Sequence, residues 1–233
     1  MRNEQSFLDV LRSYTNWEEV ELPKLWDNTV DTLYMTFTSL IAVFVIGLIL
    51  GLLLYETSRR SGTAARITYL VTTMIVNVFR SIPFIILIVL LIPFTRTLLG
   101  TITGPTAGLP ALILSAAPFY ARLVETGFRD VDKGVIEAAE AMGANKWEII
   151  TKVLIPESLP SLVAGITVTA ISLIGFSAIA GIIGAGGLGN MAYLDGFQRS
   201  RNTVILVATI TILLIVFTFQ AIGDFIVKRI DKR

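Results

Sequence analysis

Long stretches without charge alternate with short polar ones along this chain. One stretch, residues 67–95, carries a single charge at Arg80, and four others carry none: residues 32–55, 97–121, 158–194 and 202–223. About 20 apolar residues in a helix cross a bilayer core of about 30 Å, so each stretch is long enough to span a membrane. The pattern therefore predicts an all-α polytopic membrane protein.

The stretch at residues 158–194 decides the number of spans, because its 37 residues are too many for one helix. Lys and Arg favour the cytoplasmic side of a membrane protein. They occur in the loop around Arg59, in the polar segment at residues 129–156 and in the C-terminal tail at residues 228–233. Placing all three on the cytoplasmic side requires one crossing from residues 158–194. We predict five spans, with six as the alternative, at about residues 32–55, 67–95, 104–127, 158–182 and 202–224.

These spans belong to one transmembrane domain at residues 32–227, which is followed by the basic tail. The remainder of the stretch at residues 158–194 is rich in glycine and becomes an irregular segment on the outer side. Residues 1–31 form an acidic leader that we expect outside the cytoplasm or on the membrane surface. Its partly amphipathic character comes from Phe7, Leu8, Leu11 and Tyr14.

Composition removes whole classes of chemistry. The chain is 54% hydrophobic, has a mean hydropathy of +0.73, and contains no Cys and no His. This excludes thiol and imidazole catalysis, disulfides and most transition-metal sites. An intramembrane carboxylate enzyme would need paired acids at membrane depth, and the spans hold almost none. A net charge of +1 without a basic cluster gives no indication of nucleic-acid binding.

Two phosphate-binding patterns bear on nucleotide use. Residues 184–189 match G-x-G-x-x-G, but a dinucleotide fold also needs an acidic residue about 20 positions further on, and none lies between Asp195 and Asp224. We interpret the glycines as backbone that bends or packs closely. The sequence has no G-x-x-x-x-G-K-[ST] loop. If ATP drives this protein, another chain therefore supplies the ATPase.

Charges and prolines inside the spans are the next candidates for function. Arg80 either faces a water-filled path or pairs structurally beside the helix break that Pro83 causes. Near the inner end of the third span, Arg122 and Glu125 have the i, i+3 spacing of an ion pair. We expect the third span itself to be interrupted by its two prolines, Pro110 and Pro118.

The polar segment at residues 129–156 predicts two short helices. Gly143 lies where the first helix ends in a left-handed residue, a conformation that glycine adopts at little cost. Asn145 and Glu148 have the spacing of a capping box for the second helix, whose apolar stripe we expect Pro156 to stop. The first helix has one small-sided apolar face, which could lie close against another surface and consists of Val135, Ala138, Ala139 and Met142.

The same segment carries a recognisable motif. It contains, in order, Glu137-Ala138-Ala139, three residues, Gly143, nine residues, and Val153-Leu154-Ile155-Pro156. This resembles the EAA loop of bacterial ABC importer permeases, EAA-x3-G-x9-I-x-L-P, with two conservative replacements. Three further runs are similar to the methionine importer permease subgroup: residues 79–85, 116–122 and 184–189. The last of them also occurs in permeases for glycine betaine, phosphonate and taurine, which stay open as substrates.

The resemblance implies the type I ABC importer permease fold, with five transmembrane helices and a cytoplasmic coupling helix, in the cell membrane. In that family two permease chains form a homodimer around one path, two ATPase subunits bind below it, and a binding protein delivers substrate from outside. ATP and Mg belong to the ATPase, so this chain is expected to be no enzyme and to bind no cofactor or metal. The resemblance assigns coupling to Glu137, Ala138, Ala139, Met142, Gly143, Ala144 and Lys146.

The sequence thus predicts the permease subunit of an ATP-driven methionine importer. A secondary transporter is the alternative from another class. Such a transporter would be expected to have two repeated halves and acidic residues within its spans, and the sequence shows neither. Membrane lipid is the remaining partner. Candidates for the translocation path are polar or bulky residues inside the spans, namely Asn77, Arg80, Ser81, Ser172, Phe176 and Ser177.

Overall fold

The structure is a computed structural model that describes residues 9–231. Between these residues there is no β-strand, and helices account for almost all of the chain. A short 3-10 turn at Trp17–Glu19 precedes the first long helix, and wide π-helical turns at Met191–Phe197 follow the eighth. The helices are Leu22–Arg59 (α1), Thr63–Ser81 (α2), Phe84–Leu90 (α3), Ile92–Leu99 (α4), Pro105–Arg129 (α5), Lys133–Ala141 (α6), Lys146–Ala185 (α7), Gly187–Asn190 (α8) and Asn202–Ile230 (α9).

Four helices in the described part of the chain are long and apolar enough to cross a membrane, namely α1, α5, α7 and α9. A fifth span results if α2 and α3 are taken together, although they are bent by 102°. The bend lies at Ile82, which is extended, and at Pro83. Its cause is local, because proline has no N–H to donate and pushes the residue before it out of the helical region.

The first helix begins at Leu22, ten residues before the predicted span at residue 32. Part of the predicted leader is therefore an extension of α1. Within the rest of the leader, Leu11 and Tyr14 are exposed or partly exposed, while Phe7 and Leu8 lie outside the described residues. Lys232 and Arg233 of the predicted tail lie outside them too.

Two expectations about proline are wrong. Pro110 and Pro118 do not interrupt α5, which is continuous from Pro105 to Arg129. Each proline removes one backbone hydrogen bond, and the other bonds of a 25-residue helix hold it together. Pro156 does not stop the helix either, because α7 passes through it after wide π-helical turns at Ile149–Leu154. Wider turns displace the carbonyls that a proline ring would otherwise meet.

The chain folds as two compact units, the first of which comprises Met1–Ser39, Pro83–Leu112 and Ile171–Thr218. Its glycine run, residues 181–189, packs against α1 with almost no space for side chains. The Leu188 N–H donates to the Thr32 hydroxyl over 2.9 Å. A β-carbon on Gly187 would lie 2.7 Å from the same oxygen, and one on Gly189 would overlap the Ala178 backbone. Close packing of this run is thus confirmed, and no strand precedes it within the described residues, as a dinucleotide site would require.

The second unit comprises Leu40–Ile82, Ile113–Ala170 and Phe219–Arg233. Its core forms where the second part of α1 meets α5. A β-carbon on Gly47 would lie 2.7 Å from the Tyr120 ring, so the absence of a side chain there lets the two helices approach closely. Tyr120 is fully buried, and its hydroxyl donates to the Leu162 carbonyl of α7 over 3.3 Å. These contacts hold α1, α5 and α7 together and form the support on which the polar segment rests.

Candidate functional site: the polar segment

The first helix of the polar segment, α6, has a defined beginning and end. The Asp132 carboxylate accepts a 2.6 Å hydrogen bond from the Gly134 N–H, which satisfies one of the free donors at the N-terminus. At the other end, Gly143 has φ of +82°. Its N–H donates to the Glu140 carbonyl over 3.0 Å, and the Ala144 N–H donates to the Ala139 carbonyl over 3.1 Å. This pair of bonds is a Schellman motif, so the predicted glycine end is confirmed.

The capping box of the next helix is confirmed as well. The Glu148 N–H donates to Asn145 Oδ1 over 3.0 Å, and the Asn145 N–H donates to Glu148 Oε2 over 3.0 Å. Lys152 adds a 3.0 Å ion pair to the same carboxylate. The backbone bond from Asn145 and then Lys152 lower the pKa of Glu148, which lies in the polar beginning of α7 before its apolar stretch. Two caps in series therefore fix residues 142–145 between the helices.

The face of α6 that packs inward shares only Ala139 with the small-sided apolar face predicted from the sequence. Ile136 and Ala139 are buried, at 2% and 5% exposure, whereas Val135, Ala138 and Met142 are exposed. The buried pair has the i, i+3 spacing of a helix face. Its position depends on what lies beneath the helix, a tertiary contact that periodicity does not contain. Ala139 thus packs inward within the described chain.

A small cavity of about 210 Å³ separates α6 from the body of the protein. Tyr55 and Arg59, near the end of α1, form one wall, and Ile136 forms part of the other. The Arg59 guanidinium lies over the Tyr55 ring, 5.4 Å from its centre. Buried Leu154 of α7 also lines the cavity. The polar segment therefore rests on both α1 and α7, so a displacement of α6 would press on two membrane-spanning helices.

The opposite side of the segment points away from the protein. Met142 is 82% exposed and Trp147 is 69% exposed. Apart from Gly143 itself and its two chain neighbours, no heavy atom of the described chain lies within 4 Å of a β-carbon placed on Gly143. Ala144 is half-buried. We define the docking surface as the exposed residues of this side, together with Lys146, which is exposed and also lines the cavity: Val135, Glu137, Ala138, Met142, Gly143, Lys146 and Trp147.

Trp147 was missed as a member of this surface because it lies outside the residues that the resemblance assigns to coupling. Large apolar side chains that remain exposed on a polar segment often mark contact with another chain. A tryptophan beside a charged capping box is therefore the signal that would have identified it. Burial of Ile136 could not be inferred in the same way, because the spacing of apolar residues in α6 allows more than one inward face.

A buried carboxylate with two arginine partners lies in α5. The Glu125 carboxylate is 3% exposed and binds Arg122 and Arg129, the latter over 2.8 Å. Arg122 also lies 3.4 Å from Asn77 Oδ1. The predicted Arg122–Glu125 pair is thus confirmed and extends to a second arginine. Because one carboxylate is held by two guanidiniums, the burial of its charge is compensated.

The candidate path residues lie in several environments. Asn77, Arg80 and Ser81 are exposed on α2, and the Arg80 guanidinium lies 6.0 Å from the centre of the Phe119 ring. In the other compact unit, Phe176 stacks on Phe84 with ring centres 4.7 Å apart. Ser172 is half-buried. Ser177 is 1% exposed and its hydroxyl donates to the Ile174 carbonyl over 2.8 Å, so it faces no open space within the single chain.

Helical spans with a doubly capped, exposed polar segment between them are the architecture of a polytopic membrane protein. The chain belongs to the family of binding-protein-dependent transport system inner membrane components, whose family model matches residues 47–233. It is 60% identical over 214 residues to the methionine import system permease protein MetP of Bacillus subtilis (strain 168), covering 92% of this chain and 96% of that one.

Other similar proteins are also named for methionine transport. Identity is 44% over 215 residues to the probable D-methionine transport system permease protein MetI of Pasteurella multocida (strain Pm70), covering 91% of this chain and 99% of that one. A chain of the inward-facing MetNI methionine ABC transporter matches with a TM-score of 0.87 at 44% identity, covering 91% of this chain and 98% of that one. The predicted type I ABC importer permease fold is thereby confirmed. The chain is a permease subunit, and the ATPase is a separate subunit.

Proposed function

We propose that this chain is the permease subunit of an ATP-driven importer that carries methionine. Family membership and the confirmed fold define the permease, and the similarity to proteins named for methionine import supports the substrate. The observation that carries the proposal is the docking surface itself. It is an exposed turn at Met142 and Gly143, fixed at both ends by caps, on a chain without a phosphate-binding loop.

In this proposal two copies of the chain form a homodimer around one path. Each docking surface binds one ATPase subunit, which holds the ATP and Mg, and a binding protein delivers methionine from the other side of the membrane. An exposed methionine and tryptophan on a small-sided turn suit insertion into a cleft of a partner protein. Glu137 and Lys146 surround them with charges of both signs, which favour one orientation of docking.

Coupling follows from how the docking surface is held. The two caps make residues 142–145 a rigid connection between α6 and α7. Ile136 and Ala139 transmit movement of that connection to the cavity wall formed by α1. When the ATPase subunits close and open, each docking surface is displaced, and the helices beneath it move with it. Rigid-body movement of this kind produces alternating access.

The orientation in the membrane follows from charge. Arg60 and Arg66 share a groove with Arg129, and Asp231 near the C-terminus shares a cavity with Asp130 and Glu157. The basic loop after α1, the polar segment and the C-terminal end of α9 thus belong to one surface, which the positive-inside tendency assigns to the cytoplasm. Methionine then enters from the side that bears the leader.

Five of the six sequence candidates remain candidates for the path. A guanidinium at Arg80, beside Asn77 and Ser81, could meet the carboxylate of an amino acid. Phe176 offers an aromatic face to a thioether sulfur, a favourable contact. Ser177 is not retained, because its side chain is enclosed by its own chain.

The deciding experiment is uptake by vesicles that contain this chain, its cognate ATPase and its binding protein. We expect labelled methionine to accumulate only with ATP and Mg, and unlabelled methionine to compete. Vesicles with a hydrolysis-deficient ATPase are the matched control. Competition by taurine or glycine betaine but not by methionine would refute the substrate. Uptake driven by an ion gradient without the ATPase would refute the class of transporter.

A further inference from the structure

A basic groove of about 650 Å³ lies at the junction of α1 and α2, apart from the docking surface. Arg60 and Arg66 line it from the α1–α2 loop and the beginning of α2, and Arg129 lines it from the end of α5. Its other lining residues are small, hydroxylated or aromatic: Thr57, Ser58, Ser61, Gly62, Thr63 and Tyr69. No carboxylate is among them, so the formal charge of the lining is positive, and hydroxyl groups that can donate or accept lie beside the arginines.

Part of this charge has no internal partner. Arg60 pairs with Glu56 over 3.2 Å, and Arg129 pairs with Glu125, which Arg122 also binds. Arg66 forms no ion pair within residues 9–231, and neither the Ser61 nor the Thr63 hydroxyl has a hydrogen-bond partner there. Arginine presents a fork of donors that matches the oxygens of a phosphate. The groove therefore has the charge and the donors to hold a phosphate group.

An apolar stripe leads away from the groove along α2. Leu70 and Met74 follow Arg66 at i+4 and i+8, so they lie on the same face of the helix as that arginine. Both are exposed, and so are their neighbours Ile67 and Val71. At a rise of about 1.5 Å per residue, the stripe from Arg66 to Met74 is about 12 Å long. A phosphate at its head and an apolar strip below it match the two parts of a phospholipid.

We propose that the groove binds the headgroup of an anionic phospholipid of the cytoplasmic leaflet, whose acyl chains lie along α2. Basic grooves between spanning helices on the cytoplasmic side have the chemistry that anionic headgroups require. A free phosphate would use the groove and leave the stripe without a role. The lipid uses both, and its site is independent of the solute that the permease carries.

Native mass spectrometry of the detergent-purified complex of this chain with its ATPase tests the proposal without any transport assay. The probes are dioleoyl phosphatidylglycerol, phosphatidylcholine with the same acyl chains, and inorganic phosphate. We expect phosphatidylglycerol to bind at least about tenfold more tightly than the other two. Each basic residue near the membrane surface contributes about a fivefold factor, so Arg66→Gln should weaken phosphatidylglycerol binding by about that amount. Arg66→Lys should retain most of the binding.

The matched control is Lys228→Gln, which removes an exposed charge near the end of α9, outside the groove, and should change binding less than twofold. Leu70→Gln with Met74→Gln should weaken phosphatidylglycerol several-fold and leave phosphate binding unchanged. Equal binding of the two lipids, phosphate binding as tight as phosphatidylglycerol, or equal effects of Lys228→Gln and Arg66→Gln would each overturn the proposal. Binding of phosphatidylglycerol to the permease alone but not to its complex with the ATPase would overturn it too, because the groove would then be a protein interface.

Discussion

The docking surface and the glycine run at residues 181–189 both depend on small residues, but for opposite reasons. At Gly143 no described atom lies within 4 Å of the position that a β-carbon would take, and φ is +82°. At Gly181 a β-carbon would lie 2.6 Å from the Asn190 nitrogen, and at Gly187 it would lie 2.7 Å from Thr32 Oγ1. Gly143 is needed for its backbone conformation, although the space around it is open. These two glycines of the run are needed because any side chain there would collide with other parts of the same chain.

The two regions are therefore sensitive to amino-acid substitution for different reasons. A position limited by space rejects every side chain, including a methyl group, because neighbouring backbone cannot move aside. A position limited by conformation accepts residues that tolerate a left-handed backbone, such as asparagine, and rejects β-branched ones. Substitutions in the glycine run should therefore affect stability, whereas substitutions at Gly143 should affect the interaction with another chain.

The largest expected effect is that of Gly189→Ala. Its new methyl group would overlap the backbone of Ala178, so the two segments would have to separate. Overpacking of this kind costs typically about 1–3 kcal/mol, and an immovable backbone puts the change at about 3 kcal/mol or more. We expect most of the protein to be lost from the membrane fraction and the remainder to melt at a clearly lower temperature, measured by fluorescence-detected size exclusion after heating.

Gly175→Ala is the matched control, because it adds the same methyl group to the same compact unit. Apart from the neighbouring backbone of its own helix, no described atom lies within 4 Å of the β-carbon there, and the residue lies inside α7. Alanine favours a helix over glycine by up to about 1 kcal/mol, so this variant should be at least as stable as the parent. A Gly189→Ala protein with unchanged melting would show that the run does not pack as described.

The second effect in size is that of Gly143→Val on coupling. A left-handed conformation costs a residue with a side chain about 1–2 kcal/mol, and a β-branched one more. We expect the protein to stay folded in the membrane, because the strained turn is exposed. The turn that joins α6 to α7 should change shape, and methionine imported per ATP hydrolysed should fall by about tenfold, measured in vesicles with both partners.

Gly143→Asn separates conformation from side-chain size. Asparagine is larger than glycine but tolerates the left-handed region, and the space around Gly143 is open in the described chain. It should therefore retain most of the coupling if the backbone conformation is what matters. A valine variant that transports at the normal rate would refute the role of this turn. Equal loss in both variants would show that the ATPase packs directly against the glycine.

Features set by neighbours in sequence could be predicted, and those set by distant contacts could not. The glycine end of α6 and the Asn145–Glu148 box follow from residues only a few positions apart, and both are confirmed. Ile136 points inward, over a cavity lined by α1 and α7, and no local pattern contains that tertiary arrangement. For a similar reason α7 continues through Pro156 by way of widened turns, since packing rather than helix propensity fixes the local hydrogen bonds.

The residues of the candidate site also differ in how well the sequence predicts their positions. Glu137, Met142 and Gly143 were identified from their motif and are exposed, as a surface for another chain requires. Ala139 belongs to the same motif but is buried, so its small size serves packing, and the motif mixes two functions. Ser177 was chosen because it is polar within a span, yet a serine can satisfy its hydroxyl on its own helix. Polarity alone therefore does not distinguish a path residue from a structural one.

The smallest expected effect tests the docking surface at its other cap. Asn145→Ala removes the acceptor for the Glu148 N–H, and loss of such a cap costs about 1 kcal/mol. This corresponds to about fivefold faster hydrogen exchange in a peptide covering residues 143–150, with little change in global melting. Lys152→Ala removes only the exposed ion pair to Glu148, and its effect on exchange should stay below about twofold. If both variants exchanged at the parent rate, the second cap would contribute nothing to the rigidity of the turn, and coupling would have to depend on Gly143 and the buried anchor at Ile136.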